Sequence, residues 1–218
     1  MTDHVLRFRT ERFKAFVDAV VAIAMTLLIL PLMESVSEAA AGGLGTAEFL
    51  QEHAGQLLSF GLSFVLIANF WMGHHRQYDE VTRITRPLLW LNVAWMATIV
   101  WLPVPTAMLG QMDTDPLQVV LYIGTLIATQ ITTLGARIYL LRHPDLTKTP
   151  PSRIRHGAAA DIASILLSAV AMLLAISLGG VGYLALLLLW LTGPLSSLLD
   201  RLWTRIVSHR ADQPPSIA

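Results

Sequence analysis

The sequence predicts an all-α integral membrane protein of six transmembrane helices. Three observations carry this: uncharged runs long enough to cross a bilayer, a low content of charge, and a complete sorting of basic residues onto alternate loops. Of 218 residues, 54% are apolar and 14% charged, against roughly 25% charged in ordinary soluble domains. A soluble helical protein also needs polar helix faces, and the stretch from Ile162 to Leu199 has none.

A helix rises about 1.5 Å per residue and the hydrocarbon core is about 30 Å thick, so roughly 20 apolar residues span it. Five uncharged runs stand out: Ala19 to Met33, Gly55 to Gly73, Pro87 to Met112, Pro116 to Ala136, and Ile162 to Leu199. The last would measure about 57 Å as one helix. It carries Gly179, Gly180 and Gly182 at its middle, where a turn is cheapest, and is expected to fold into a hairpin. The predicted spans are residues 15–33, 55–75, 87–110, 116–140, 159–178 and 182–203. Residues 1–209 then form one transmembrane domain, and 210–218, rich in Pro and Ser, a disordered cytoplasmic tail. Arg7, Arg9, Arg12 and Lys14 before an apolar stretch resemble the start of a signal peptide; the segment is expected to be retained as the first span.

Basic residues near membrane ends accumulate on the cytoplasmic side. All 15 Lys and Arg fall before the first uncharged run, between the second and third, between the fourth and fifth, or after the last. The opposite loops carry only Glu34, Glu38, Glu48, Glu52, Asp113 and Asp115. Both termini are therefore expected in the cytoplasm, in a multi-pass plasma-membrane protein. The segment His143 to His156, with Pro144, Pro150 and Pro151, reads as a cytoplasmic loop. Trp95 looks mid-helix and is expected to pack between helices. Asn69 and Asn92 are candidates for bonds across helices.

Lys plus Arg equals Asp plus Glu at 15 each, which argues against nucleic acid as a partner. No cysteine is present, and adjacent His74 and His75 diverge by about 100° on a helix with no third ligand at useful spacing. No metal site is expected. Nothing pairs a nucleophile with a base or forms a phosphate loop, so neither an enzyme nor a resident cofactor is expected.

The first span departs from the others. On a helical wheel Ile23, Leu27 and Leu30 fall within about 60° of one another, and Asp18 points roughly 120 to 180° away. The stripe covers about 10 Å of depth without charge. Taken alone, such a stripe fits lipid or a neighbouring helix better than a pore. An ionisable group inside a membrane normally faces protein or water. Asp18 is expected to anchor the helix, with His74, His75 or Arg12 as partner. Asp161 is expected at the start of the fifth span, pairing near Arg153, Arg155 and His156.

The segment Arg12-x-x-x-Phe16-Val17-Asp18, followed by Ala22-Ile23-Ala24-Met25-Thr26-Leu27, resembles the first-helix signature of the transmembrane protein 175 family of potassium channels, Arg-x-x-x-Phe-Ser-Asp. Two further segments fit: Phe70-Trp71-x-x-His74-His75 and Leu102-Pro103-Val104-Pro105-Thr106. The resemblance implies a homotetramer of six-helix subunits whose first helices line a pore with a hydrophobic filter. The filter positions would be Ile23, Leu27 and Leu30, with the Thr26 hydroxyl beside them and Arg12, Phe16, Asp18, Trp71, His74 and His75 as the supporting network. Val17 stands where the motif has Ser and cannot make its hydroxyl bond. The function implied is a modestly selective potassium-permeable channel whose partners are membrane lipid, monovalent cations and other copies of itself. Four apolar stripes about an axis form stacked rings, through which cations pass hydrated or partly stripped. Glu34, Glu38, Asp113 and Asp115 would draw cations to the mouth, or serve simply as solvated loop acids.

Two other functions are open to the sequence. A proton-coupled secondary transporter would use Asp18, Asp161 and His75 as a relay, although no repeat or broken midplane helix is evident. A membrane scaffold would show no flux.

Overall fold

The computed structural model describes residues 10–113 and 115–178, and every described element is helical apart from one isolated bridge. The sixth span, residues 182–203, and the tail at 210–218 lie outside the described residues. The described part contains five helical segments long and apolar enough to cross a membrane, Thr10–Ala41, Ala54–Tyr78, Arg86–Gln111, Pro116–Arg142 and Pro151–Ser177.

The first segment is two helices, α1 (Thr10–Leu27) and α2 (Leu30–Ala41). Pro31 accounts for the interruption at Leu28 and Ile29. It offers no amide to the Leu27 carbonyl, and its ring crowds that carbonyl. The chain crosses the gap on one tighter three-residue bond, Ile29 N to Thr26 O at 3.3 Å, and resumes the helical ladder with Met33 N to Ile29 O at 3.0 Å. After a turn through Gly43, whose φ of +72° suits glycine, a short helix α3 (Thr46–Glu52) leads into α4 (Ala54–Tyr78).

The third segment is likewise divided, into α5 (Arg86–Trp101) and α6 (Pro103–Gln111), where Pro103 and Pro105 withhold two amides from the helical ladder. Helix α7 (Pro116–Arg142) opens on Asp115, whose carboxylate accepts the Gln118 amide at 2.9 Å. That gives Asp115 a capping role. Helix α8 (Pro151–Leu178) begins with proline at its start, a position that tolerates a missing amide. Residues 151–156, read from sequence as loop, are therefore helical.

Helix α7 packs along both α8 and α5, α4 runs along α6, and α1 lies against α4 and α5. The approach of α4 to α6 is close. A methyl on Gly110 would meet Ser59 Oγ at 2.6 Å and the Gln56 Cα at 3.0 Å. Close approach over glycine is how membrane helices gain dispersion contacts where no hydrophobic drive operates between them. A buried hydroxyl chain joins three helices here: Thr106 Oγ1 donates to Ser63 Oγ at 2.8 Å, and Ser63 bonds the Tyr122 hydroxyl at 2.9 Å.

At the basic end the connecting loops are stitched together. Thr82 N donates to Leu146 O at 2.9 Å and Lys148 N to Glu80 O at 3.0 Å. The start of α1 joins them through Thr10 Oγ1 to Thr82 O at 3.1 Å and Lys14 Nζ to Asp79 O at 3.0 Å. Helix α1 is thus fixed at its entry end.

Candidate functional site

The packed face of α1 consists of Phe13, Val17, Val21 and Ala24, and it continues in Leu28. These residues recur at the three- and four-residue spacing of one helix face. They join a core that includes Leu66, Leu88, Trp95, Ile99 and Leu102. Val17 is 1% exposed, so the position that holds Ser in the family motif is an apolar packing position in this chain.

The face turned away from that core carries Ile23, Leu27 and Leu30, which are 59%, 37% and 51% exposed. No other part of the described chain covers them. They straddle the Pro31 break, Ile23 and Leu27 in α1 and Leu30 opening α2. Phe16 falls on the same face and is 60% exposed. Phe16, expected in the supporting network, lies instead with the uncovered stripe, about two turns nearer the basic end. Thr26 is also exposed, and its hydroxyl donates to the Ile23 carbonyl at 2.7 Å. Donation spends the proton and leaves the oxygen lone pairs, which are what a cation uses. Glu34, a turn beyond Leu30, is exposed as well.

Asp18 lies off the stripe and is partly buried. Its Oδ1 accepts from the Trp71 indole at 2.8 Å, joining α1 to α4. This corrects the expected partners. His74 instead bonds Asn92 Oδ1 through Nε2 at 2.6 Å, stacks near Tyr78 and Trp95, and is buried. His75 is exposed, with its ring 6.0 Å from that of Trp71. Arg12 is exposed and forms no ion pair among the described residues. A tryptophan donor satisfies a half-buried carboxylate without adding a second charge to desolvate.

Asn92 is the hub behind this link. Its Nδ2 donates to the Tyr78 hydroxyl at 2.6 Å and to the Leu88 carbonyl at 2.7 Å, while Oδ1 meets His74. All three side chains are buried, so each bond replaces one that water would have supplied. Trp95 packs between helices at 2% exposure, as its mid-helix position predicts. Asn69 is exposed.

Asp161 is not at the start of α8, and the partner the structure gives it is Arg137 rather than Arg153 or Arg155. It sits ten residues into the helix, and its Oδ2 takes the Arg137 Nε at 2.7 Å from α7, with both side chains under one-fifth exposed. The sequence offered one signal for this pair: Arg137 lies inside the end of an apolar span, where an unpaired charge is costly. Among the described residues no group of three or more His, Cys, Asp or Glu could hold a metal ion.

The sequence model of the TMEM175 family, described as the endosomal/lysosomal potassium channel TMEM175, matches residues 12–103. A potassium channel of Streptomyces collinus is 36% identical over 100 residues, covering 46% of this chain and 47% of the relative. A potassium channel of Chamaesiphon minutus is 31% identical over 105 residues, covering 47% and 50%. The endosomal/lysosomal proton channel TMEM175 of Gallus gallus is 39% identical over 100 residues, which are 43% of this chain and 20% of that protein. The chain thus spans about half the length of the bacterial relatives it matches. Among solved structures, a lysosomal potassium-selective channel TMEM175 homolog from Chamaesiphon minutus shares the fold, with a TM-score of 0.61 over 86% of this chain and 97% of that one, at 23% identity. The likeness to the TMEM175 family model covers residues 12–103, which hold Asp18, its partner Trp71, the uncovered stripe and the Asn92 hub.

Proposed function

We propose that the protein is a potassium-permeable cation channel of modest selectivity, assembled as a homotetramer in the plasma membrane with its basic loops and both termini in the cytoplasm. The observation that carries the reading is the geometry of α1. One face is committed to the subunit core and tied to α4 through Asp18 and Trp71, and the opposite face presents Ile23, Leu27 and Leu30 with no covering from the described chain. The potassium-channel names of the bacterial relatives support the same direction.

Cyclic symmetry turns one uncovered stripe into rings. Three apolar rings, stacked over roughly 10 Å at about 1.5 Å of rise per residue, form a neck that offers an ion no fixed oxygen cage. Passage then requires partial loss of hydration, which favours potassium because it holds its water less tightly than sodium. Thr26 oxygens beside the neck and exposed Glu34 beyond Leu30 supply local negative potential.

The carrier reading requires Asp18, Asp161 and His75 to share one path. Asp18 is engaged by Trp71 between α1 and α4, and Asp161 by Arg137 between α7 and α8. The test is ion flux from potassium-loaded liposomes containing the full chain, with no proton gradient imposed. Flux under those conditions is the expected result. Flux that appears only with a proton gradient would replace the channel by a carrier.

A further inference from the structure

We propose that a cavity at the basic end of the bundle, between α4, α7 and α8, binds a phosphate ester that carries neighbouring hydroxyl groups. The proposal rests on the helices spanning a membrane and not on conduction. The cavity encloses about 250 Å³ and is lined by Arg76, Gln77, Arg137, Thr149, Arg153 and His156. That volume suits a phosphate with a few attached atoms.

The charges around it do not cancel. Arg137 is held by Asp161 through Nε at 2.7 Å. Glu80 reaches Arg153 only at 3.9 Å, with both side chains well exposed, and Arg76 gives its Nε to the Met72 carbonyl. Among the described residues two carboxylates therefore face three guanidiniums. Arginine's fork of donors matches phosphate oxygens better than any other side chain.

Two polar side chains refine the ligand. Gln77 is 7% exposed and gives its Nε2 to the Thr133 carbonyl at 3.3 Å, while its Oε1 has no partner among the described residues. A buried carbonyl oxygen needs a donor. Ionised phosphate oxygens cannot serve, whereas a hydroxyl next to the phosphate can. Thr149 Oγ1 lies 3.1 Å from Thr147 Oγ1 and adds a hydroxyl to the cavity lining. Gly157 contributes by having no side chain, because a methyl there would collide with the Arg137 guanidinium at the cavity wall.

Position favours a lipid as the source. The lining comes from the last turn of α4, the end of α7 and the first two turns of α8, with Leu140 and Ile154 as apolar walls. Basic pockets between helices at that depth take anionic headgroups. A soluble polyol phosphate has the same recognised chemistry.

The test uses the full chain in detergent, with native mass spectrometry reading bound lipid and thermal unfolding reading soluble ligands. Phosphatidylglycerol should bind in preference to phosphatidylcholine, and the Arg76→Gln, Arg153→Gln double variant should weaken it on the order of tenfold or more. Both arginines are exposed, so the variant should fold. Gln77→Leu should erase the preference for phosphatidylglycerol over phosphatidic acid, which lacks the hydroxyls. Stabilisation by glycerol 3-phosphate beyond that by inorganic phosphate, with no lipid preference, would keep the site and assign it to a soluble ligand. Equal binding of phosphatidylglycerol and phosphatidylcholine without any glycerol 3-phosphate effect overturns the proposal, as does phosphatidylglycerol binding unchanged in both variants.

Discussion

Asp18 and Trp71 meet at 2.8 Å, carboxylate oxygen to indole nitrogen, and this bond joins the helix carrying the uncovered stripe to its neighbour. Its replacement Trp71→Phe keeps most of the ring but removes the donor. A partly buried carboxylate left without its hydrogen bond should cost about 1–3 kcal/mol. Asp18→Asn retains an acceptor and should cost less. A double-mutant cycle read by thermal unfolding in detergent checks this, since a coupling energy near zero would mean the bond does not hold α1 in place.

The Asn92 hub should be more sensitive. Asn92→Leu strands His74 and Tyr78 without their partners inside the core. Each orphaned group costs about 1–3 kcal/mol, and the loss of both should show as a clearly lower unfolding temperature than Asn69→Leu, which alters an exposed side chain. Equal melting of the two variants would contradict the hub.

Arg137 and Asp161 form an ion pair with both side chains under one-fifth exposed. Removing one partner, as in Asp161→Asn or Arg137→Leu, should destabilise by about 3 kcal/mol because a buried charge is left uncompensated. The double variant Arg137→Leu, Asp161→Leu should recover part of that loss. Potassium flux per correctly folded Asp161→Asn protein should persist in liposomes, and its abolition would mark Asp161 as part of a transport path.

Pro31 breaks the first segment between Leu27 and Leu30. Pro31→Ala returns an amide to the Leu27 carbonyl and makes a continuous helix across the gap. Leu30 then rotates relative to Ile23 and Leu27, and flux at equal protein incorporation should change several-fold. Unchanged flux would show that the break has no part in conduction.

How much of this was legible in the sequence depends on the range over which each feature is determined. Hydrocarbon thickness acts on single segments, so the membrane-spanning character of the chain follows from run length and apolar composition alone. The two faces of α1 were legible as well, because helical period is local, and the exposed stripe and buried Val17, Val21 and Ala24 fall where the wheel separates them. Partner choice was not. Asp18 to Trp71 spans 53 residues and Arg137 to Asp161 spans 24, and such pairings depend on how helices lie together. Nearby His74, His75 and Arg12 offered charge, yet the structure satisfies Asp18 with a neutral donor. Pro31 was visible within the first apolar run, but the length of that run outweighed it, and a break flanked by helix on both sides leaves the hydropathy of the span unchanged.

The central claim is that the Ile23, Leu27 and Leu30 face lines the conduction path. The most direct measurement is the potassium-to-sodium flux ratio of Leu27→Asn in liposomes, beside Leu166→Asn, which alters an exposed leucine on α8. A hydrated side chain in the neck should reduce the cost of passing sodium, so the ratio should fall severalfold for Leu27→Asn and hold for Leu166→Asn. A ratio unchanged in Leu27→Asn, and equally in Ile23→Asn and Leu30→Asn, would remove these residues from the pore.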